Sequence, residues 1–322
     1  MTRNVRFKGG RLPAEPARPH LKFGAYLSPE LPPPPAAADW LAPVPAADWG
    51  MLANDQWGDC TCAGVGHKRI GDVYVNQMRL LTVTDTDTLG LYSAVTGFDP
   101  HAGAPGENPT DQGAVCQDVL DFWRKKGFLG EKVIAFAKVD LSNRDEVKQA
   151  IALFGQIYCG MNFPGSAMDQ FNAGKTWDTV KGARLEGGHC VTIGAFDEDG
   201  LSCVTWGAVQ KMTWRFFTKY FEEAWVLISP DVIDPKTGKN LAGYDLHTLG
   251  QDFSSLTGDP NPVPNPQPTP QPGPVPTPPP SPAPAPDPRV AKAAALVHEA
   301  DALMQQLANG TTADADQAEV AP

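Results

Sequence analysis

The residues with the greatest capacity for chemistry fall in two stretches. The first is Asn54-Asp55-Gln56-Trp57-Gly58-Asp59-Cys60-Thr61-Cys62-Ala63-Gly64-Val65-Gly66-His67. A polar turn containing Gly58 runs into a cysteine, and small residues with an apolar pattern follow. Such an order places a thiol on the first turn of a buried helix. A helix N-terminus carries partial positive charge and unpaired N–H groups, which favour thiolate over thiol and can stabilise an oxyanion. Asn54, six residues upstream, can reach back as the second oxyanion donor. The other stretch, Gly187-Gly188-His189-Cys190-Val191-Thr192-Ile193-Gly194-Ala195-Phe196, opens an alternating β pattern on a histidine 129 positions after Cys60. A Cys–His pair suffices as a nucleophile and its base. Cys62, with Gln56 six residues before it, is a second register for the same chemistry. Taken alone, either cysteine reads as a small buried hydrophobe.

These two stretches resemble the papain-like cysteine peptidase superfamily. Papain-type enzymes carry a Gln six residues before the nucleophile, and the related bacteriocin-leader peptidases read Gln…Asp-Cys-x-x-Ala. Asp59-Cys60-Thr61-Cys62-Ala63 matches the second pattern with Asn54 in place of Gln, whereas Gln56 with Cys62 keeps the Gln and loses the Asp-Cys match. The separation of Cys60 from His189 is close to the roughly 130–150 residues of papain-like enzymes. The closer likeness is to a phage and bacterial branch with an Asn-Asp-x-x-Gly-Asp-Cys motif. The resemblance implies an α+β, two-lobed fold, with the cysteine on a helical lobe and the histidine on an antiparallel β lobe. It spans residues 51–232 and rests on element order and short motifs. Papain-type enzymes have Asn-Ser-Trp-Gly where this chain has Val204-Thr205-Trp206-Gly207, and that Asn orients the imidazole. Val204 falls at its position unless one residue is deleted, in which case Thr205 does. Asp197, Glu222 and Glu223 are the fallback orienters, the first in a turn and the others on a solvated helix over 214–224.

The composition narrows the classes. The 322 residues carry a net charge of −11 and a sequence pI of about 5.0, with no compact Lys/Arg run, which argues against a nucleic-acid surface. No window approaches the ~20 apolar residues of a membrane span. The N-terminus lacks the apolar segment of a secretory signal, so a cytoplasmic or virion-associated setting is expected. The six cysteines then read as reduced thiols. Cys60-x-Cys62 has the wrong spacing for a zinc half-site, and the acidic loop at 97–110 lacks calcium-loop spacing, so neither metal nor cofactor is expected.

Around the two stretches the elements follow in order. Residues 1–50 form an extended, Pro-rich arm, expected to wrap the core with Phe23, Tyr26, Leu27, Trp40 and Trp49 docked. It lacks the helices of papain-type propeptides, which argues against an inhibitory role. A helix from Gly58 to about Leu81 carries Cys60, with His67 as a packed or capping histidine. Thr84–Asp87 caps a short helix through Val95, and an amphipathic helix with Val115, Val119, Leu120 and Trp123 stops at Gly127. Then come a strand over 133–139, a helix from Asn143, a strand over 155–161, the His189 strand, its hairpin partner over 201–207, and a closing strand over 225–229. The domain spans 51–245. A Pro-rich linker over 246–288, a short amphipathic helix over 289–309 and a disordered acidic tail over 310–322 follow, the helix being one that folds on a protein partner.

Two functions compete. One is a cysteine hydrolase cleaving a peptide or isopeptide bond in a peptide or protein substrate, with Cys60, His189, Asn54 and Thr205 as its machinery. The other is a weakly active or inactive binding module on the same fold, displayed on a stalk, as on a virion.

Overall fold

In the computed structural model the described residues are 8–27, 33–232, 247, 251–252 and 254–255. Apart from those isolated positions, the linker, the short helix and the acidic tail expected over 246–322 lie outside them. So do residues 1–7 of the arm.

The central helix α1 spans Cys60–Gln77 and is buried from Cys60 through Val73 on every side. A helix so enclosed must supply partners for its own charges. Lys68 Nζ donates to Asp72 Oδ1 at 2.6 Å, one turn on, and Arg69 reaches the Phe128 carbonyl at 2.6 Å and Asp231 at 2.9 Å. The helix ends earlier than the sequence suggests, because Met78 turns left-handed (φ 49°) and caps it. Helix α2 (Asp85–Thr96) starts on a reciprocal cap, in which the Thr84 hydroxyl accepts from Asp87 N–H and the Asp87 carboxylate accepts from Thr84 N–H. Helix α3 (Cys116–Lys126) buries Val119, Leu120 and Trp123 and stops at Gly127, φ 91°.

The second half is a sheet. Three short strands of the arm, β1 (Arg11–Leu12), β2 (Leu21–Lys22) and β3 (Ala38–Asp39), join it or its surroundings, and β4 (Ala114–Val115) precedes α3. Beyond α3 the chain forms β5 (Ala135–Lys138), α4 (Arg144–Phe154), β6 (Ile157–Pro164), α5 (Gly165–Asn172), β7 (Leu185–Phe196), β8 (Gly200–Thr205), β9 (Ala208–Thr213), α6 (Trp214–Tyr220) and β10 (Phe221–Ile228). The strand order is β2-β5-β10-β6-β7-β8-β9, with β3 added along the end of β7. All pairs are antiparallel except β2 with β5. The architecture is therefore α+β, with Cys60 on the helical side and His189 on the sheet.

Two expectations need correction. The helix beginning at Trp214 ends at Tyr220, and Glu222 and Glu223 lie on β10 rather than on a solvated helix. Strand β10 is covered on both faces, so it shows none of the alternation by which a half-exposed strand is read. The arm docks Phe23 and Trp49 in the core as expected, but it does not stay on the surface. β1 pairs in parallel with β4, and Gly10 N–H donates to the Gly188 carbonyl at 3.2 Å. The arm thus runs between the helical side and β7.

The reciprocal cap of α2 is exposed and local. Thr84→Ala should lower stability by about 1 kcal/mol in urea denaturation, with no change in the slope of the transition.

Candidate active site

Cys60 opens α1, and α1 packs along β7. The thiol is 1% exposed. The backbone of Cys190, on β7, and of Gly10, in the arm, lies close to the thiol. Cys60 thus lies by the histidine-bearing strand at the residue after His189. Cys62 instead sits in the core among Cys116, Tyr92 and Tyr158, and Gln56 is exposed.

His189 is fully buried on β7. Its Nε2 is 2.8 Å from Thr205 Oγ1 on the neighbouring strand. The Trp206 indole stacks on the imidazole at 4.5 Å with a 13° tilt, and Phe163 meets it edge-on at 5.5 Å. Thr205 thus stands where an orienting residue is needed, while Val204 packs in a separate apolar cluster with Leu41, Trp49 and Ile70. Asp197 caps its own turn, accepting from the N–H groups of Asp199 and Gly200 at 2.9 Å.

Asn54 is buried, and its amide Nδ2 donates to Asp59 Oδ1 at 3.1 Å and toward the Trp57 carbonyl at 3.4 Å. The side chain is thereby tied to the residue preceding Cys60. His67 donates from Nε2 to the Gly50 carbonyl at 3.1 Å and meets the Trp49 ring edge-on, a packed histidine.

Three glycines let the arm cross beside the thiol. A Cβ on Gly10 would lie 1.8 Å from the Gly58 carbonyl oxygen, and one on Gly188 would lie 2.0 Å from that of Arg11. One on Gly113, itself at φ 79°, would fall 2.3 Å from the Gly10 carbonyl oxygen. Asp111 fastens this crossing, accepting from Gly58 N–H and the Tyr92 hydroxyl at 2.9 Å each, with Lys8 Nζ 3.4 Å away. Asp111 and Gly113 were legible in the sequence only as the approach to a helix, and Arg11 not at all.

The sealed site holds neutral groups. Burial pushes the Cys60 thiol well up, and the N–H groups of Cys190 and Gly10 offset this only in part. Burial, with the nearby His67, brings His189 down to about 3. Asp59 is pushed up by burial against the hydrogen bond from Asn54. Among the described residues no cluster of His, Cys, Asp and Glu could hold a metal ion, and no helix is long and apolar enough to cross a membrane.

No family model and no curated protein matches the sequence. Among solved structures the chain is similar to xylellain, a cysteine protease from Xylella fastidiosa, at 13% identity over 71% of this chain and 98% of that one, with a TM-score of 0.49. It is also similar to proCathepsin B S9 from Trypanosoma congolense, at 9% identity over 69% and 86% with a TM-score of 0.47. Digestive procathepsin L 3 of the Tenebrio molitor larval midgut matches at 10% identity over 70% and 75%, with a TM-score of 0.42. The chemistry rests on the residues of this chain, not on these likenesses.

Both buried histidines make the fold sensitive to acid. His189 and His67 titrate at about 3 and about 4 in the folded chain, below the ordinary 6.5. Their neutral forms are thus favoured by folding, and that stability is complete above pH 6.5 and lost as pH falls toward 4 and then 3. Asp72 acts oppositely: burial raises it to about 6 despite Lys68, so its contribution is present below 3.8 and lost as pH rises through 6. Asp59, raised by burial, acts in the same direction as Asp72. Urea denaturation of His67→Gln should therefore show a stability difference between pH 6.5 and 5 that is shifted from that of the intact chain by about 1.5 kcal/mol, the variant losing less on acidification.

Proposed function

We propose that this protein is a papain-like cysteine hydrolase that cleaves a peptide or isopeptide bond, with its cleft closed by the arm at Gly10–Leu12. The observation that carries the reading is the His189 constellation. The imidazole is oriented by Thr205 at 2.8 Å, roofed by Trp206, and set on the strand whose next residue, Cys190, lies by the Cys60 thiol. A structural core has no use for a histidine so held on the strand that meets a thiol at a helix N-terminus.

In the open site, Nε2–H donates to the Thr205 hydroxyl, which leaves Nδ1 as the basic nitrogen of the ring. Cys60 loses its proton to that nitrogen and its sulfur attacks the carbonyl carbon. The Cys60 N–H at the start of α1 faces the oxyanion, and Asn54, released from Asp59, is the second donor. The protonated imidazole then gives its proton to the leaving amine, and water, deprotonated by the same base, hydrolyses the thioester. A hydroxyl is a weaker orienter than an amide or carboxylate, so Thr205 suits a slow enzyme.

The closed, uncharged site also fits a second reading, a binding module on the same fold. Thiol reactivity separates the two. In the intact chain iodoacetamide should label Cys60 slowly at pH 7, because the sulfur is covered. Gly10→Ala places a methyl group against Gly58 and should displace the arm, speeding labelling at least tenfold. Adding His189→Ala should slow it again by about thirtyfold, since a thiol at the free value of about 8.5 is only a few per cent ionised at pH 7. Cys60→Ala should abolish hydrolysis and Thr205→Ala should reduce it about tenfold. An uncovered Cys60 that reacts no faster than a free thiol would remove the hydrolase and leave the binding module.

A further inference from the structure

The arm carries one charge into the interior. The Arg11 side chain is 1% exposed, and its Nε and Nη2 donate to Glu223 Oε1 at 2.9 and 2.7 Å. Nη1 donates to Glu222 Oε2 at 2.8 Å. Glu223 is itself fully buried, and its other oxygen accepts from Trp225 Nε1 at 2.9 Å. Glu222 is held from the far side by the Asn162 amide. Space for the guanidinium comes from Gly160, where a Cβ would lie 2.6 Å from Arg11 Nε and 2.8 Å from Glu223 Oε1.

The polar partners of this side chain, Glu222 and Glu223 on β10 with Gly160 beside them on β6, belong to the sheet, and only the guanidinium comes from the arm. A carboxylate buried this deeply is tolerated when a cation is paired with it, and is costly alone. Burial works against the charge on Arg11, yet Glu223 and the hydrogen bonds from both carboxylates more than offset it. The sheet therefore holds a preformed seat for one planar cation. The three N–H donors used here match a guanidinium, and a lysine ammonium has no such planar fork. The arm residue preceding Arg11 is Gly10, whose backbone lies close to the Cys60 thiol.

We propose that the Glu222–Glu223 pocket is a substrate subsite selecting an arginine side chain, which the arm fills with its own Arg11 while the cleft is closed. The substrate class is then a peptide or protein segment bearing arginine close to the scissile bond. This rests on the reading of the cleft as a peptidase site. The pocket recognises a side chain, so it does not depend on the direction in which the substrate backbone runs.

The test uses the full chain with Arg11→Ala, which empties the seat. The probe is acetyl-Gly-Gly-Arg-Leu-amide, compared with the same peptide carrying citrulline, which has the shape of arginine without its charge. By calorimetry the arginine peptide should bind at least tenfold more tightly and restore the melting temperature lost in the variant. In Arg11→Ala with Glu223→Gln the preference should vanish. Equal binding of both peptides, or binding of neither, would overturn the subsite. Should Arg11→Ala fail to fold, Arg11→Lys keeps the charge with fewer planar donors, and the same preference is expected. Binding needs no chemistry at Cys60, so the two readings fail separately. Arginine-selective binding with an inert thiol removes the hydrolase, and a reactive thiol without that selectivity removes the subsite.

Discussion

The close packing of α1 on the central strands is the constraint on which the rest depends. A helix can approach a sheet this tightly only where its facing side chains are missing. A Cβ on Gly64 would stand 3.0 Å from the Tyr158 ring and 3.4 Å from the Cys190 sulfur, and one on Gly71 would stand 1.7 Å from the Gln156 amide. Glycine within a helix costs roughly 1 kcal/mol relative to alanine. That cost is offset here by burial of the whole helix and by Tyr158, whose hydroxyl donates to the Thr61 carbonyl at 2.9 Å. The result is that the first turn of α1 meets β7 at Cys190, the residue after His189, because the helix has nowhere else to lie.

Much of this was legible because it is local. The turn into Cys60, the Thr84 cap, the amphipathic face of α3 and the Asn143 cap each announce themselves within a few residues, and the structure shows all four. The orienter of His189 was half legible. Strand alternation leaves Val204 and Thr205 on opposite faces, but only the register of β7 with β8 decides which faces the imidazole. Contacts between distant segments were not legible. Arg11 and Glu223 are 212 positions apart, and nothing near either announces a partner. Glu223 was read as solvated because it was placed on a helix over 214–224, whereas on a strand adjacent residues point to opposite sides and one can be buried.

Closure changes the chemistry as well as the access. A thiolate–imidazolium pair is favoured where water and dipoles solvate both charges, and the sealed cleft offers the sulfur two backbone N–H groups and the ring one hydroxyl. Burial then dominates, and both groups are held neutral. Were the arm to leave, water would reach both groups and the penalty on their charged forms would fall. On the hydrolase reading, the arm would separate a stored form of the site from a reactive one.

The strength of that closure follows from how the arm is held. At the cleft its backbone contributes few hydrogen bonds: Gly10 to Gly188, Ala114 to Gly10, and the short pairing of β1 with β4. Its deep anchor there is the pairing of Arg11 with Glu223, while Phe23 and Trp49 hold the rest of the arm in the core. A buried ion pair recovers in attraction little more than it loses in desolvation, although removing one partner alone is costly. Such an anchor is selective rather than strong, because it refuses a vacancy and a neutral side chain but accepts another guanidinium at little net cost. The glycine crossing adds the opposite property, excluding any arm residue with a Cβ at position 10 while contributing almost no apolar burial of its own. Together they hold a segment that is closely specified, and on the subsite reading a ligand guanidinium would replace it at little net cost.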